Sequence, residues 1–120
     1  MGILVVDASA LGALIFGEPR AEEVASRLEG GTLAAPSLLW FELASICLKK
    51  IKAHPRRKEE MIRAFVLAGR LDIQRVEVDQ PEVVRLAMQT GQTTYDASYL
   101  WLARQLRGEL VTLDEKLKGK

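Results

Sequence analysis

The segment Ile3-Leu-Val-Val6 constrains the fold of this chain most, because it is short, apolar at every position and rich in β-branched residues. A strand with one face in water alternates apolar and polar residues. A uniformly apolar run is typical instead of a central strand in a parallel sheet that is covered on both faces. Asp7 ends the run, and a helical pattern follows at once. The chain is therefore expected to begin with a buried parallel strand that carries a carboxylate at its carboxyl end.

Short apolar runs and longer helical patterns alternate over the rest of the chain. They predict strands at 3–6, 33–35, 72–78 and 109–112. They predict helices at 9–15, 19–28, 37–52, 81–90 and 95–106, and a further helix that runs from the break at His54-Pro55 to 69. Strands separated by helices predict a three-layer α/β/α arrangement around a central parallel sheet of four or five strands. The 120 residues fit a single domain, 1–120, since autonomous domains cluster around roughly 100 to 150 residues.

Composition places the chain among folded proteins, since 48% of its residues are apolar and 28% are charged. No apolar run approaches the roughly 18 residues that cross a bilayer, and Asp7 interrupts the opening run before a signal-peptide core is complete. We therefore expect a cytoplasmic location and no membrane segment. Cys47 is the only cysteine in the sequence, which excludes an intrachain disulfide and predicts a buried apolar side chain. The only histidine, His54, lies in a basic turn and is expected at the surface.

Two acidic residues follow predicted strands directly. Asp7 comes after the first strand, and Asp114 lies two residues beyond the last. Ligands bind at the carboxyl ends of strands in open parallel sheets, so these carboxylates are expected to face one crevice if their strands are neighbours. Each acid also has a structural interpretation. Asp7 is a good N-cap for the next helix, and Thr112-Leu-Asp-Glu115 matches a capping box.

Asp96 has the same two interpretations. The pattern Thr93-Thr-Tyr-Asp96 is typical of a helix start. Asp96 also shares a helix face with Leu100 and Ala103, at spacings of four and seven residues. Since that face is apolar, the Asp96 side chain is expected to point toward the sheet rather than toward water.

Glu42 is harder to explain by structure alone, because its predicted helix is apolar on nearly every side. On a helical wheel, Glu42, Ser45 and Lys49 form one narrow polar stripe. An unpaired charge costs several kcal/mol when it is buried. The stripe must therefore face solvent, a partner or a cleft.

Several carboxylates that share one crevice repel one another and raise one another's pKa unless a cation neutralises them. Mg²⁺ and Mn²⁺ prefer oxygen ligands from a few carboxylates and water, whereas zinc sites favour imidazole and thiolate ligands. The chain has one histidine and one cysteine. A converging acidic cluster would therefore suit Mg²⁺ or Mn²⁺.

Four blocks of sequence together resemble the PIN domain family, in particular the short VapC-type toxins of prokaryotic toxin–antitoxin pairs. The blocks are Val5-Val-Asp-Ala-Ser-Ala-Leu11, Pro36-Ser-Leu-Leu-Trp-Phe-Glu-Leu-Ala44, Thr94-Tyr-Asp-Ala-Ser-Tyr-Leu-Trp-Leu-Ala103 and Leu110-Val-Thr-Leu-Asp114. Each contains one acid, and they occur in the family's order over nearly the whole chain. The sequence departs from many relatives in stopping soon after Asp114, where they add a short strand and a helical turn.

The resemblance implies an RNA-cleaving site built from Asp7, Glu42, Asp96 and Asp114. Asp7, Asp96 and Asp114 would bind Mg²⁺ or Mn²⁺, and Glu42 would hold a water at the metal or act as the base. The resemblance further implies that Ser9 and Thr112 support the site. It also implies a homodimer and, for the toxins, inhibition by a cognate antitoxin.

A locally basic segment offers cations for RNA, although the net charge of the chain is only +1. RNA needs such cations because the acids repel its phosphates. The candidates are Lys49, Lys50, Lys52, Arg56 and Arg57. A solvated helix end is an equally good interpretation of the same segment. The aromatic residues on apolar helices indicate core or dimer interface rather than base-stacking surfaces; they are Trp40, Phe41, Tyr99 and Trp101.

Other functions fit the sequence less well. A phosphatase of the haloacid dehalogenase type needs a second aspartate two residues after the first, where Ser9 stands. A receiver domain needs an acidic pair before its phosphoacceptor, and neither a P-loop nor a dinucleotide-binding glycine motif occurs. The main alternative is a PIN-like module with weak catalysis that binds RNA or protein. The presence of all four acids argues against it.

Overall fold

The predicted strands and helices are present, and their boundaries move by two residues at most except at the helix after His54-Pro55, which begins at Lys58. The computed structural model describes residues 2–119. The strands are β1 (Ile3–Val6), β2 (Thr32–Pro36), β3 (Ile73–Val76) and β4 (Glu109–Val111). The helices are α1 (Ala8–Ile15), α2 (Ala21–Leu28), α3 (Leu38–Ala53), α4 (Lys58–Ala68), α5 (Gln80–Thr90) and α6 (Thr94–Gln105), and a 3₁₀ turn at Pro55–Arg57 precedes α4.

The strands form one parallel sheet in the order β3-β2-β1-β4. Val5 in β1 is in register with Ala34 on one side and Leu110 on the other, and its side chain is fully buried. The assumption that β1 and β4 are neighbours is therefore confirmed. Beyond β4, residues 112–119 form loop and turns, so the sheet has four strands within the described part of the chain.

Helices cover both faces of the sheet, which confirms the three-layer α/β/α architecture. Helix α6 packs on β1, β2 and β4 and has α5 beside it, while α2 contacts β4 and α3 contacts β2. Fully buried side chains such as Leu11, Leu43 and Leu102 fill the core together with the valines of β1. Because all strands run the same way, the segments after β1, β2 and β4 leave the sheet at one edge.

The predictions for Cys47 and His54 are also confirmed. Cys47 is buried against Phe16 and Met61, where burial raises the pKa of its thiol. His54 is exposed at the end of α3. Between residues 2 and 119, no helix combines the length and the apolar character needed to span a membrane.

The contact between β1 and β4 predicts a strong effect of Gly108→Ala. A Cβ atom at Gly108 would lie 2.6 Å from the carbonyl oxygen of Ile3, which is backbone and cannot rotate away. We expect the free energy of unfolding to fall by about 1 to 3 kcal/mol, since overpacking typically costs this much. Urea denaturation measures the change. Gly2→Ala, whose Cβ would meet nothing within 4 Å, is the control, and equal stability of the two variants would contradict the close approach of β1 and β4.

Candidate active site at the carboxyl edge of the sheet

Asp7 performs the predicted capping role and also belongs to the site. Its Oδ1 accepts a hydrogen bond from the Ala10 backbone N–H at 3.0 Å, which caps α1, and another from the Ser9 hydroxyl at 2.7 Å. The residue is only 5% exposed. The two interpretations of Asp7 are therefore compatible, because one carboxylate caps the helix and contributes to the cleft described below.

Thr112 and Ser9 join the ends of β1 and β4. The buried Thr112 hydroxyl donates to Oδ2 of Asp7, lies 3.3 Å from the Ser9 hydroxyl and accepts from the backbone N–H of Asp114 at 3.0 Å. Ser9 Oγ also accepts from the backbone N–H of Leu113 at 3.0 Å. These bonds fix the loop that carries Asp114 against Asp7.

The capping box predicted at Thr112-Leu-Asp-Glu115 is wrong. No helix begins there, and the segment continues as loop and turn. The Thr112 side chain points inward to Asp7 instead, while Oδ1 of Asp114 accepts from the backbone N–H of Lys116 at 2.9 Å. The Thr112 hydroxyl, which the local pattern assigned to a helix cap, instead forms a long-range hydrogen bond with the buried carboxylate of Asp7.

Asp96 lies in the first turn of α6, where the predicted helix start is confirmed. The Thr93 hydroxyl caps the helix by accepting from the backbone N–H of Asp96 at 3.0 Å. The Asp96 side chain is thereby free of the capping role. It is half-buried and faces the same cleft as Asp7.

Glu42 faces the cleft together with Ser45 and Lys49, which decides among the three environments predicted for this polar stripe. The hydroxyl of Tyr99 donates to Oε1 of Glu42 at 2.5 Å. Tyr99 is 1% exposed, so this bond crosses from the core to the wall of the cleft. Glu42 is held by a buried partner rather than left to move in solvent.

The four predicted acids line a single cleft of about 500 Å³ at the carboxyl edge of the sheet. Asp7 comes from the end of β1, Asp114 from the loop after β4, and Glu42 and Asp96 from α3 and α6. Ligand-binding clefts typically measure about 300 to 1,000 Å³, so the volume suits a small ligand or part of a larger one. Residues far apart in sequence thus meet where parallel sheets usually bind ligands.

Burial and mutual repulsion perturb the acids. The pKa of Asp7 is raised, chiefly by burial and also by Asp114, although its hydrogen bonds from Thr112, Ala10 and Ser9 work in the opposite direction. The pKa of Asp96 is raised by burial and then by Asp114 and Asp7. Burial also raises the pKa of Glu42, with further contributions from Asp96 and Asp7. Titratable groups perturbed by one another in a cleft are typical of functional sites.

The donor set fits a hard divalent cation. Asp7, Asp96 and Asp114 offer carboxylate oxygens to one space, and a cation there would relieve the repulsion that adds to burial in raising the pKa of Asp7 and Asp96. Among residues 2–119, no three histidine, cysteine or acidic side chains are already arranged to hold a metal ion. Mg²⁺ does not require such a cage, because it usually keeps several waters and takes one or two carboxylates.

The structure brings only one of the predicted basic residues to the cleft. Lys49 lines it. The other four lie elsewhere: Lys50 pairs with Glu18, Arg57 pairs with Glu60 at 2.8 Å, and Lys52 and Arg56 are exposed outside the lining. Of the basic segment, the structure therefore brings Lys49 to the acidic cleft, and contact of the other four residues with RNA stays a prediction.

The aromatic residues, interpreted as core or dimer interface, differ in their burial, although Trp40, Trp101 and Tyr99 all belong to or pack against the core. Phe41 is 74% exposed on the rim of the cleft rather than in the core. Tyr99 is buried as predicted, but its hydroxyl reaches Glu42. Trp40 and Trp101 are half-buried: Trp40 stacks under the Arg75 guanidinium at 4.8 Å, and Trp101 donates to Glu82 at 2.8 Å.

Two further residues near the site were missed. Arg27 donates to the Thr112 carbonyl oxygen at 3.2 Å and so supports the loop after β4. Tyr95 is 60% exposed and also lines the cleft. No sequence pattern indicated Arg27. Tyr95 directly precedes Asp96 in the block Thr94–Ala103, which resembles the PIN family.

The Thr112 hydroxyl predicts a measurable effect of Thr112→Val, which keeps the shape and removes the bonds to Asp7 and Asp114. We expect the free energy of unfolding to fall by about 1 to 3 kcal/mol, because a buried polar group loses its partner. Since the bond from Thr112 lowers the pKa of Asp7, that pKa should rise and any activity that needs ionised Asp7 should shift to higher pH. Thr112→Ser retains the hydroxyl and should behave like the wild type. A pH profile identical in all three proteins would contradict the role of this bond.

Comparison with known proteins shows similarity over nearly the whole chain. The model of the PIN domain family matches residues 4–120. Ribonuclease VapC3 of Pyrobaculum aerophilum is 30% identical over 122 residues, covering 98% of this chain and 93% of that protein. The crystal structure of PAE2754, also from Pyrobaculum aerophilum, has a TM-score of 0.79 at 28% identity and covers 97% of this chain and 82% of that one. The crystal structure of VapC20 from Mycobacterium tuberculosis, a sarcin-ricin loop cleaving toxin, has a TM-score of 0.66 at 14% identity and covers 95% of this chain and 92% of that one. At this identity it shows likeness of fold alone.

Proposed function

The chain belongs to the PIN domain family, and we propose that it is a metal-dependent endoribonuclease that hydrolyses RNA phosphodiester bonds. One observation carries the proposal: Asp7, Glu42, Asp96 and Asp114 line a single cleft at the carboxyl edge of the sheet. The relatedness to a protein named as a ribonuclease supports RNA as the substrate. The catalytic role assigned to each acid is part of the proposal.

Asp7, Asp96 and Asp114 would hold the cation, with Mg²⁺ or Mn²⁺ as the ions suited to their oxygen ligands. When bound, such an ion lowers the pKa of water and neutralises charge on a phosphate. Ser9 and Thr112 orient Asp7 through its two oxygens. The two hydroxyls thus set the direction in which the Asp7 carboxylate faces the cleft.

Glu42 is the proposed general base. Tyr99 orients it by donating to Oε1, and the attacking water would give its proton to Oε2. Its raised pKa suits this role, since a base works best when its pKa lies near the working pH. Lys49, on the same wall of the cleft, would contact an RNA phosphate and offset the repulsion between RNA and the acids.

The proposed biological role is that of the toxin in a type II toxin–antitoxin pair. The relative named Ribonuclease VapC3 supports it, since that protein covers nearly the whole chain at 30% identity. The role implies a cognate antitoxin as partner, assembly as a homodimer and a cytoplasmic location. Copurification of this chain with the product of a neighbouring gene, and loss of cleavage in that complex, would test it.

The experiment for the nuclease activity is a panel of structured and unstructured RNAs incubated with Mg²⁺ or Mn²⁺, with EDTA as control. The wild type is compared with Asp96→Asn and with Asp72→Asn, which changes an exposed aspartate at the opposite edge of the sheet. We expect cleavage by the wild type and Asp72→Asn only when metal is present. Cleavage that survives in Asp96→Asn would contradict the assigned site and indicate another site or a contaminating nuclease. No cleavage by any protein would favour a catalytically weak RNA-binding or protein-interaction module.

A further inference from the structure

A second cleft of about 450 Å³ lies beside the acidic one. It occupies the carboxyl ends of β2 and β3 and the first residues of α3, α5 and α6. Leu38 and Tyr95 line both clefts, so these two side chains lie at the boundary between them. The second cleft also falls within the size range of small-ligand sites. A ligand in the acidic cleft therefore has a neighbouring space into which it can extend.

Tyr95 is the most distinctive feature of this boundary. It lies in the first turn of α6, whose start is fixed by the Thr93 cap, and it is 60% exposed although it is a large aromatic residue. Its ring therefore contributes little to the core. An exposed ring on a rigid helix turn is a suitable surface for stacking another planar group.

The lining of the second cleft mixes apolar and polar side chains, and Glu77 is the one charged residue among those described there. Ser37 is the N-cap of α3, yet its hydroxyl makes no capping hydrogen bond and is available to a ligand. Gln80 and Thr94 add an amide and a hydroxyl, and Glu77 adds an acceptor. Such a set of donors and acceptors suits the hydrogen-bonding edge of a nucleobase.

A phosphate is a poorer occupant of the second cleft. None of the described residues that line it is lysine or arginine, whereas Glu77 would repel an anion. The acidic cleft, by contrast, has Lys49 and the acids proposed to hold a cation. Charge therefore assigns the phosphate to the acidic cleft and the uncharged base to its neighbour.

We propose that the second cleft binds an unpaired nucleobase of the RNA substrate, stacked on Tyr95, next to the phosphate that is cleaved. This inference rests on the proposed nuclease function and adds a site for one base together with Tyr95 as the residue that positions it. A base in a duplex is stacked and paired, so it enters such a space only when it is unpaired or flipped out. The nucleotide next to the cleaved phosphate would therefore enter the second cleft unpaired, with its base against the ring of Tyr95.

The test measures the binding of fluorescein-labelled RNA by anisotropy, in Ca²⁺ and in EDTA, with an unpaired RNA of about ten nucleotides and a blunt duplex of the same length. We expect Tyr95→Ala to raise the Kd of the unpaired RNA about tenfold, as expected for loss of one stacked base. Tyr95→Phe keeps the ring and should bind like the wild type. Met88→Ala, an exposed apolar residue outside both clefts, is the control and should also bind like the wild type.

Three outcomes would overturn the inference. The first is an equal Kd for Tyr95→Ala and the wild type. The second is a duplex that binds as tightly as the unpaired RNA. The third is a wild type that binds the unpaired RNA neither in Ca²⁺ nor in EDTA. If Mn²⁺ raises the Tm of Tyr95→Ala as much as that of the wild type, the neighbouring Asp96 is undisturbed. A loss of RNA binding by Tyr95→Ala then results from the missing ring. If the wild type cleaves RNA but Tyr95→Ala binds normally, only this inference fails. If the wild type cleaves no RNA with metal, the nuclease proposal itself fails.

Discussion

Replacing Asp7 with asparagine should lower the rate of metal-dependent RNA cleavage by about 100-fold or more, since loss of one charge-stabilising group commonly costs this much. Asp7 lies where β1 ends, among the other three acids, and is oriented by Ser9 and Thr112. Asparagine keeps the shape and one carbonyl oxygen for the Ala10 cap but removes the charge that would hold a cation. Single-turnover cleavage measures the loss.

The same substitution should not destabilise the fold at neutral pH. Because burial raises the pKa of Asp7, its ionised form costs stability above that pKa, and the cost disappears as the pH falls through it. The Tm of Asp7→Asn should therefore equal or exceed that of the wild type at pH 7, and this advantage should shrink at acidic pH. A variant that is inactive because it is unfolded would contradict the explanation, as would full activity. Asp72→Asn serves as the control at an exposed site.

Mn²⁺ should raise the thermal stability of the wild type. At a concentration about 100-fold above its Kd, a ligand stabilises the native state by about 2.7 kcal/mol, which corresponds to a rise in Tm on the order of 10 °C for a protein of this size. The ion would offset the repulsion of Asp96 by Asp114 and Asp7. Differential scanning fluorimetry with and without EDTA measures the rise.

The comparison with variants makes the Mn²⁺ result specific. Asp96→Asn should show a much smaller rise in Tm, because it removes a proposed ligand, whereas Asp72→Asn should show the full rise. An equal rise in all three proteins would place the ion elsewhere on the chain. No rise in the wild type would contradict the assignment of Asp7, Asp96 and Asp114 as ligands.

Much of the fold could be predicted because its signals are local. The uniformly apolar run before Asp7 indicates a central strand, and the alternation of strands and helices indicates a parallel sheet. Both predictions are confirmed, as is the resemblance to the PIN family. The polar stripe of Glu42, Ser45 and Lys49 on an apolar helix also predicted a cleft among its possible environments, and the structure places all three residues there.

The remaining features depend on contacts between residues far apart in sequence. The hydroxyl of Thr112 bonds to Asp7 across 105 positions, so the local capping pattern was misleading. Tyr99 fits an apolar helix, and only the tertiary fold brings its hydroxyl to Glu42, which is 57 positions away in the sequence. The basic segment was identifiable by composition, but the direction of each side chain was not, and Lys49 alone reaches the cleft.

The central claim is that the acids act together as one metal-dependent site for RNA cleavage. Its most direct test is the single-turnover cleavage rate of Asp7→Asn, Asp96→Asn and the double variant, measured on one RNA with Mn²⁺. Residues that work as a unit give strongly non-additive losses. We therefore predict that the double variant cleaves about as slowly as the slower single variant. Losses that multiply, or a single variant that keeps the wild-type rate, would contradict the claim.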